Sequence, residues 1–401
     1  VGSAIFVCFI VLTLVVAWVY CDYHAGRKDH LMKSKYTKYP LRMSDIDLYT
    51  DGTELYTDLF EQINKCTKRI HVLIYIVKND DISHEFLDIL SKKASEGLDV
   101  RLLLDYVGSA KLGKKKIREI QEKGVRIAFS HKPKLPYLFY TSQARNHRKI
   151  TVLDGKTAYL GGFNIGKEYI GLDPKLGYWR DYHLKIAGEG VQDLQAQFLK
   201  DWFDSTGEDD RGKPSYFIPQ MKGKSSQLFI STYGKHLDDH FIHFIQQAKR
   251  EIIICSPYFI PGKVILDELL AARSRGVNVQ IMVPLKEDHP LVKEASMPYF
   301  KPLLLAGCEI YQFFYGFFHA KVIVIDDHFC DIGTANFDKR SMYLNDEMNC
   351  IIYDHDFIQK VKDKIISDFK KSELLTYQAY QKRPFTHKVK EKFATLISHF
   401  L

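Results

Sequence analysis

The sequence predicts an α/β protein of two pseudo-symmetric halves that share one active site, preceded by an N-terminal transmembrane helix. Three observations predict it: an uncharged apolar run over residues 1–20, a strand, helix, strand order that occurs twice, and an octapeptide pattern that occurs once in each copy.

The apolar run, VGSAIFVCFIVLTLVVAWVY, carries no charged residue. Twenty helical residues at about 1.5 Å each span about 30 Å, the thickness of a bilayer's hydrocarbon core. Trp18, Tyr20 and Tyr23 gather at its end, and Arg27, Lys28, Lys33, Lys35 and Lys38 follow against only Asp22 and Asp29. Amphipathic rings favour the headgroup layer and basic flanks stay cytosolic. The expected arrangement is a single-pass N-terminal anchor in the cell membrane with a cytoplasmic catalytic domain. A cleaved signal peptide is disfavoured: no basic segment precedes the run, no small-x-small site follows it, and it is too long.

The length of 401 residues suits two domains, and 46% hydrophobic content excludes disordered and fibrous classes. A formal net charge of +8 calls for an anionic partner, phospholipid headgroups or nucleic acid. The basic cluster after the span ties that charge to a bilayer surface. Seven cysteines, odd in number, scattered and without a Cys-x-x-Cys pair, fit a reducing compartment and argue against zinc.

In the first half, residues 70–77 read as a buried strand, 83–96 as a helix and 99–105 as a strand; in the second, 251–259, 262–275 and 277–283 repeat the order. Both copies follow a Lys-Arg pair, Lys68-Arg69 and Lys249-Arg250, and both place a glycine at the helix exit, Gly97 and Gly276. The expected divisions are a transmembrane helix at 1–20, a basic juxtamembrane linker at 21–44, a first half at 45–215, a second half at 216–372 and a basic amphipathic C-terminal segment at 373–401. The polar stretch from Ser205 to Gln227 marks the seam.

The octapeptides are HRKITVLD, His147 to Asp154, and HAKVIVID, His319 to Asp326. Seventeen residues after each histidine comes an asparagine, Asn164 in GGFN and Asn336 in GTAN. Two copies sharing that downstream residue make coincidence a poor account. In a strand His147 and Lys149 project together while Arg148 takes the other face, and His319 and Lys321 behave likewise. The glycines near each asparagine suggest close backbone approach, and each asparagine offers an amide donor. Brought face to face, the halves make a pocket with two imidazoles and two ammonium groups, which suits a phosphate. Asp154 and Asp326 have the wrong parity and lie on the order of 20 Å farther along an extended strand, so a structural role is expected. Asp181 and Glu347 are candidates to orient the histidines.

These residues resemble the phospholipase D superfamily, whose hallmark is the paired HKD motif, and within it the shorter, minor type of bacterial cardiolipin synthase. The likeness rests on HRKITVLDGKTAYLGGFNIGKEYIG, GYWRDYHLKIAGEGV, LQAQFLKDW, SPYFIP, DHPLV, FFHAKVIVID and GTANFDKRSMYLNDEMN, and covers roughly residues 45–370. It implies two phospholipase D-like α/β/α halves and transfer of a phosphatidyl group between two phosphatidylglycerols with release of glycerol. It implies a catalytic set of His147, Lys149, Asp154, His319, Lys321 and Asp326, with His147 as nucleophile and His319 as general acid and base. Lys149, Lys321, Asn164, Asn336 and Thr334 would hold the phosphoryl oxygens, and Asp181 and Glu347 would orient the imidazoles. Thr334 stands where the family usually has serine, and one span stands where many members show two. No metal or other cofactor is expected, and a phospholipid and the membrane are the expected partners rather than nucleic acid. Alternatives are a hydrolytic phospholipase D, another phosphatidyltransferase, a nuclease of the same superfamily, or an inactive membrane scaffold.

The aromatic segments PYLFY (136–140) and YQFFYGFF (311–318) are expected to be buried strands with their turns, or else an apolar mouth for acyl chains. Phe385, Val389, Phe393, Leu396, Ile397 and Phe400 fall at helical spacing beneath a lysine-rich face, which suits either packing onto the domain or the membrane interface. His289, in DHPLV, has no duplicated framework behind it.

Overall fold

The protein is described by a computed structural model covering residues 2–34 and 36–400, so Val1 of the expected span and Lys35 of the basic cluster lie outside the described residues. Seven principal strands build the first half: β1 (Arg42–Asp51), β2 (Arg69–Ile74), β3 (Asp99–Asp105), β4 (Arg126–Ser130), β5 (Ile150–Leu153), β6 (Thr157–Gly161) and β7 (Trp179–Gly188). Their order is β4-β3-β2-β5-β6-β7-β1, parallel among the first three and antiparallel thereafter. The second half has β8 (Ser225–Tyr233), β9 (Glu251–Cys255), β10 (Asn278–Pro284), β11 (Glu309–Phe313), β12 (Val322–Ile325), β13 (Phe329–Gly333) and β14 (Asp346–Ile352). The order β11-β10-β9-β12-β13-β14-β8, with the same directions, repeats the first. β1 pairs antiparallel with β8 through Arg42 and Gln227, joining the two sheets.

Parallel strands are stable only when both faces are covered. Val72, Leu102 and Leu104 are buried with Phe86, Leu87 and Leu90 of the helix Asp81–Ser95 on one side. On the other side a core crosses the halves, combining Val152, Leu184 and Phe198 with Val322, Cys350 and Ile365. The helix Asp81–Ser95 starts where the Asp80 side chain accepts the Ser83 N–H at 3.0 Å, and ends before Gly97, whose φ of 91° favours glycine. Gly276, at φ 89°, follows the matching helix Gly262–Ser274.

Three expectations differ from the structure. The strands expected at 70–77 and 251–259 stop at Ile74 and Cys255. Beyond those points the chain turns away to wall a cleft with Tyr75, Ile76 and Tyr258, and the Ile76 N–H leaves the ladder to donate to Asn164 Oδ1 at 3.1 Å. The N-terminal helix runs from Gly2 to Lys33, through much of the expected linker. Its apolar first part is exposed, whereas Asp22 and Tyr23 are buried against the domain. Residues 138–143, expected in a strand and its turn, form a helix whose otherwise unpaired first-turn N–H, that of Tyr140, is accepted by Asp22 Oδ1 at 2.8 Å.

Arg148 explains how the first octapeptide tolerates an extra cation. Fully buried, its guanidinium donates to Asp201 Oδ1 at 2.8 Å, to the Thr232 carbonyl at 2.7 Å and to the Glu347 carbonyl at 3.2 Å, and lies over the Tyr233 ring. It therefore clamps the first half to β8 and β14. Removing one partner of such a pair costs about 3–5 kcal/mol, because the other charge stays buried and alone. Arg148→Leu is expected to lower the thermal unfolding temperature of the full chain in detergent, and adding Asp201→Leu to restore part of the loss. A double variant less stable than the single would contradict this ion-pair account.

Candidate active site

Each histidine is held by the opposite half. The His147 N–H donates to the Asp346 carbonyl at 2.9 Å, and His147 Nδ1 lies 3.0 Å from both carboxylate oxygens of Glu347 on β14. The His319 N–H donates to the Arg180 carbonyl at 2.7 Å, and His319 Nδ1 lies 2.6 Å from Asp181 Oδ2 on β7. A carboxylate only accepts, so the His147 Nδ1 facing Glu347 carries the proton, whereas His319 also has the Lys321 ammonium 2.6 Å from Nδ1 and 3.2 Å from Nε2. Both histidines, with Asn164 and Asn336, line one cleft of about 550 Å³.

The glycines before the asparagines make room for these strands. A Cβ on Gly162 would fall 2.0 Å from Asp181 Oδ1, and one on Gly333 would fall 2.5 Å from the Met348 carbonyl oxygen. Asn164 accepts from Ile76 and donates through Nδ2 to the Tyr169 hydroxyl at 3.3 Å. The rings are packed by Tyr75 beside His147 at 4.9 Å and Trp179 beside His319 at 4.8 Å between centroids.

Lys149 and Lys321 sit beneath the histidines rather than on the open cleft wall. Lys149 Nζ donates to the His147 carbonyl at 2.8 Å, and Lys321 Nζ donates to the His319 carbonyl while lying 3.6 Å from Asp181 Oδ2. Burial pulls the Lys149 ammonium down to about 7, and burial lowers Lys321 as well. Burial, reinforced by Lys321, pulls His319 down to about 4; burial also lowers His147, with Glu347 opposing it. Burial opposes charge on Asp181 and Glu347, yet the cations beside them hold both carboxyls below the usual range. Burial thus suppresses positive charge along the cleft, and a phosphate anion bound there would favour it.

Thr334 is placed differently from its expected phosphate contact. Its hydroxyl donates to Glu347 Oε2 at 2.6 Å and accepts the Met348 N–H at 2.9 Å, behind the carboxylate rather than on the cleft. Asp154 and Asp326, counted in the catalytic set as motif members, do not reach the cleft either. Asp154 accepts the N–H groups of Thr67, Lys68 and Arg69, and Asp326 those of Lys249, Arg250 and Glu251. Each fastens the turn before the first parallel strand of its half.

Sequence reasoning missed Ser341, whose hydroxyl donates to Glu347 Oε1 at 2.8 Å, and Tyr258, whose hydroxyl donates to Asp288 Oδ2 at 2.5 Å on the cleft wall. The quoted FDKRS and SPYFIP segments contain them, but no spacing marks them out. His289 also lines the cleft. Among the described residues no group of three His, Cys, Asp or Glu side chains is arranged to hold a metal ion.

A family described as "Cardiolipin synthase, PLD-like domain" matches residues 59–202 and 241–369. The chain belongs to this family. Among cardiolipin synthases it is 41% identical to the minor cardiolipin synthase ClsB of Bacillus subtilis (strain 168) over 398 residues, covering 98% of this chain and 99% of that one. It is 40% identical to cardiolipin synthase 2 of Staphylococcus epidermidis over 364 residues, 89% of this chain and 75% of the relative. Its fold resembles the crystal structure of a phosphatidylserine synthase from Haemophilus influenzae Rd KW20, with a TM-score of 0.71 at 17% identity over 94% of this chain and 99% of that one. Both octapeptides lie within the residues matched by this family.

Proposed function

We propose that the protein is a cardiolipin synthase that transfers a phosphatidyl group from one phosphatidylglycerol to another through a phosphohistidine, and that it works at the cytoplasmic membrane surface. The crossed histidine and carboxylate pairs on one cleft carry this reading. His147 Nε2 attacks phosphorus as the bond to glycerol oxygen breaks, and His319 gives that oxygen a proton. His319 then takes the proton of the acceptor hydroxyl, whose oxygen attacks phosphorus as the bond to His147 breaks. Lys149, Lys321, Asn164 and Asn336 offset the charge on the non-bridging oxygens. The test is purified full-length protein on phosphatidylglycerol liposomes, with lipids resolved by mass spectrometry. Cardiolipin with free glycerol is expected; phosphatidic acid alone would indicate hydrolysis, and nuclease activity without lipid turnover would overturn the reading.

The scheme sets the pH dependence. His147 must be neutral and His319 protonated, and burial holds both groups below the ordinary histidine range. The profile of kcat/KM, which reports the free enzyme, is therefore expected to be a bell centred on the acid side of that range. The profile of kcat should shift to higher pH, because the bound diester's negative charge raises both groups. A rate flat from about pH 5 to 9 would contradict the scheme.

The helix Phe385–Ile397 bears on the membrane surface. It buries Ala394 near Val292 and Ala295 but leaves Phe385, Val389, Phe393 and Leu396 exposed. Its end returns to the anchor, where Phe400 packs on Tyr23 and lines the cleft. The outward stripe then rests on the bilayer beside the cleft mouth. Phe393→Ser with Leu396→Ser is expected to lower turnover on liposomes severalfold and to spare turnover of micelle-dispersed lipid. An equal loss on both would contradict the interfacial role.

A further inference from the structure

The two histidines are framed alike, yet the scheme gives them unlike protonation states. Each has a carboxylate at Nδ1, Glu347 or Asp181, and a lysine on its own carbonyl, Lys149 or Lys321. Nothing that the duplication repeats can decide which ring is the acid. The deciding group has to be one that a single half carries.

Strand register locates such a group. Ile70 pairs with Leu153 and Ile252 with Ile325, each partner lying just before its motif aspartate, so β2 and β9 align residue for residue. Six residues farther on, Ile76 takes the place that Tyr258 takes in the second half. The bridges of Val77 to Ile165 and of Phe259 to Phe337 agree, one residue beyond. In the next strands Ile70 pairs with Val100 and Ile252 with Val279. Nine residues after these stand Ser109 and Asp288. Ser109 is buried and spent on the backbone, its hydroxyl donating to the Tyr75 carbonyl at 3.0 Å and accepting the Val77 N–H at 3.1 Å. Asp105, which ends β3, is bonded to Arg145 at 3.1 Å. The His147 side thus has isoleucine and serine where the His319 side has tyrosine and aspartate.

Tyr258 and Asp288 act as a pair. The hydroxyl donates to Asp288 Oδ2 at 2.5 Å, the ring meets His319 edge-on with centroids 6.3 Å apart, and both residues line the cleft with His319. The Asp288 side chain is 14% exposed, whereas that of Asp181 is sealed behind His319. The charged groups around Asp288 do not neutralise it. His289 Nε2 lies 3.7 Å away on an exposed side chain, Lys286 and Lys293 turn their ammonium groups to the Leu176 and Leu285 carbonyls at 3.2 and 2.8 Å, and Glu287 adds like charge. His319 itself meets Asp181 from β7, the uncharged rings of Trp179 and Phe317, and Lys321 from its own segment. Lys321 opposes a charge on the imidazole, and Asp181 and Asp288 together oppose Lys321.

We infer that Asp288, pinned by the Tyr258 hydroxyl, is a positioning residue that holds the proton on His319 and so makes this histidine, rather than His147, the acid. This rests on the roles proposed above for the two histidines.

The experiment uses full-length Asp288→Asn, which keeps an acceptor for the Tyr258 hydroxyl and removes only the charge. In the kcat/KM profile on phosphatidylglycerol liposomes, the acid limb follows His147 losing its proton and the basic limb follows His319 losing its own. The variant is expected to move the basic limb down by about one pH unit and to leave the acid limb in place. On the alkaline side turnover then falls by about tenfold. A p-nitrophenyl phosphodiester lipid, whose leaving group needs no proton, should still give its full nitrophenol burst. Tyr258→Phe keeps the ring and unpins the carboxylate, so it should move the same limb by less, and it serves if Asp288→Asn does not fold. A basic limb that stays in place, an equal loss with both donors, or a change confined to KM, as headgroup binding by Asp288 would give, overturns the inference and leaves the transferase reading standing. Absence of cardiolipin from the wild type would remove both.

Discussion

His319→Ala is expected to form the phosphatidyl enzyme from an activated donor and then stall. Glycerol is a poor leaving group that needs a proton as it departs, and His319, set by the buried carboxylate of Asp181, is the cleft imidazole paired across from His147. Without it, turnover of phosphatidylglycerol should fall by about 10²- to 10⁴-fold. A p-nitrophenyl phosphodiester lipid needs no such proton, since nitrophenolate leaves as an anion. The variant should therefore release one equivalent of nitrophenol in a burst and carry a phosphatidyl group on His147, because no base remains to activate the acceptor. His147→Ala should show no burst with either donor. A burst surviving in His147→Ala and absent from His319→Ala would reverse the two roles.

The second large effect is expected from Glu347→Gln. Glu347 is buried, bonded to His147 Nδ1, and held by the Thr334 and Ser341 hydroxyls, so its charge has a fixed place behind the nucleophile. Phosphorylation of Nε2 draws electron density from the ring and strengthens the Nδ1–H bond to that carboxylate. Glutamine is nearly the same shape but brings no charge, and a loss of about 10²- to 10⁴-fold in kcat follows from orienting carboxylates of this kind. Glu347 also raises the proton affinity of His147, so its removal should move the acid limb of kcat/KM to lower pH. A merely structural role would lower activity without moving that limb. A loss below tenfold with the limb unchanged would contradict the assignment.

The chemistry-bearing residues were legible because the chain states them twice. His147 with Lys149 and His319 with Lys321 share a spacing to Asn164 and Asn336 that no single copy could have made persuasive. Parity and distance along the strand set Asp154 and Asp326 aside, and the turns they fasten lie away from the cleft. What spacing does not carry is which carboxylate meets which imidazole. That crossing is a contact between residues about two hundred positions apart for His147 and Glu347 and depends on how β7 and β14 enter the shared cleft. Thr334, to which the resemblance assigns a phosphate contact, instead bonds Glu347 in the structure, a partner that spacing alone does not reveal. The helix at 138–143 escaped an aromatic, strand-like pattern because its conformation follows from docking on Tyr23 and Asp22, a tertiary contact that overrides local propensity.

The central claim is that two duplicated strands deliver their histidines to a single phosphorus. A crystal structure of the full chain with vanadate tests it most directly, since vanadate adopts the five-coordinate geometry of phosphoryl transfer. One vanadium is expected in the cleft, bonded to His147 Nε2, with an apical oxygen hydrogen-bonded to His319 Nε2 and the equatorial oxygens facing Lys149, Lys321 and the two asparagines. Two separate vanadates, one at each histidine, or a single one touched by only one half, would contradict the account.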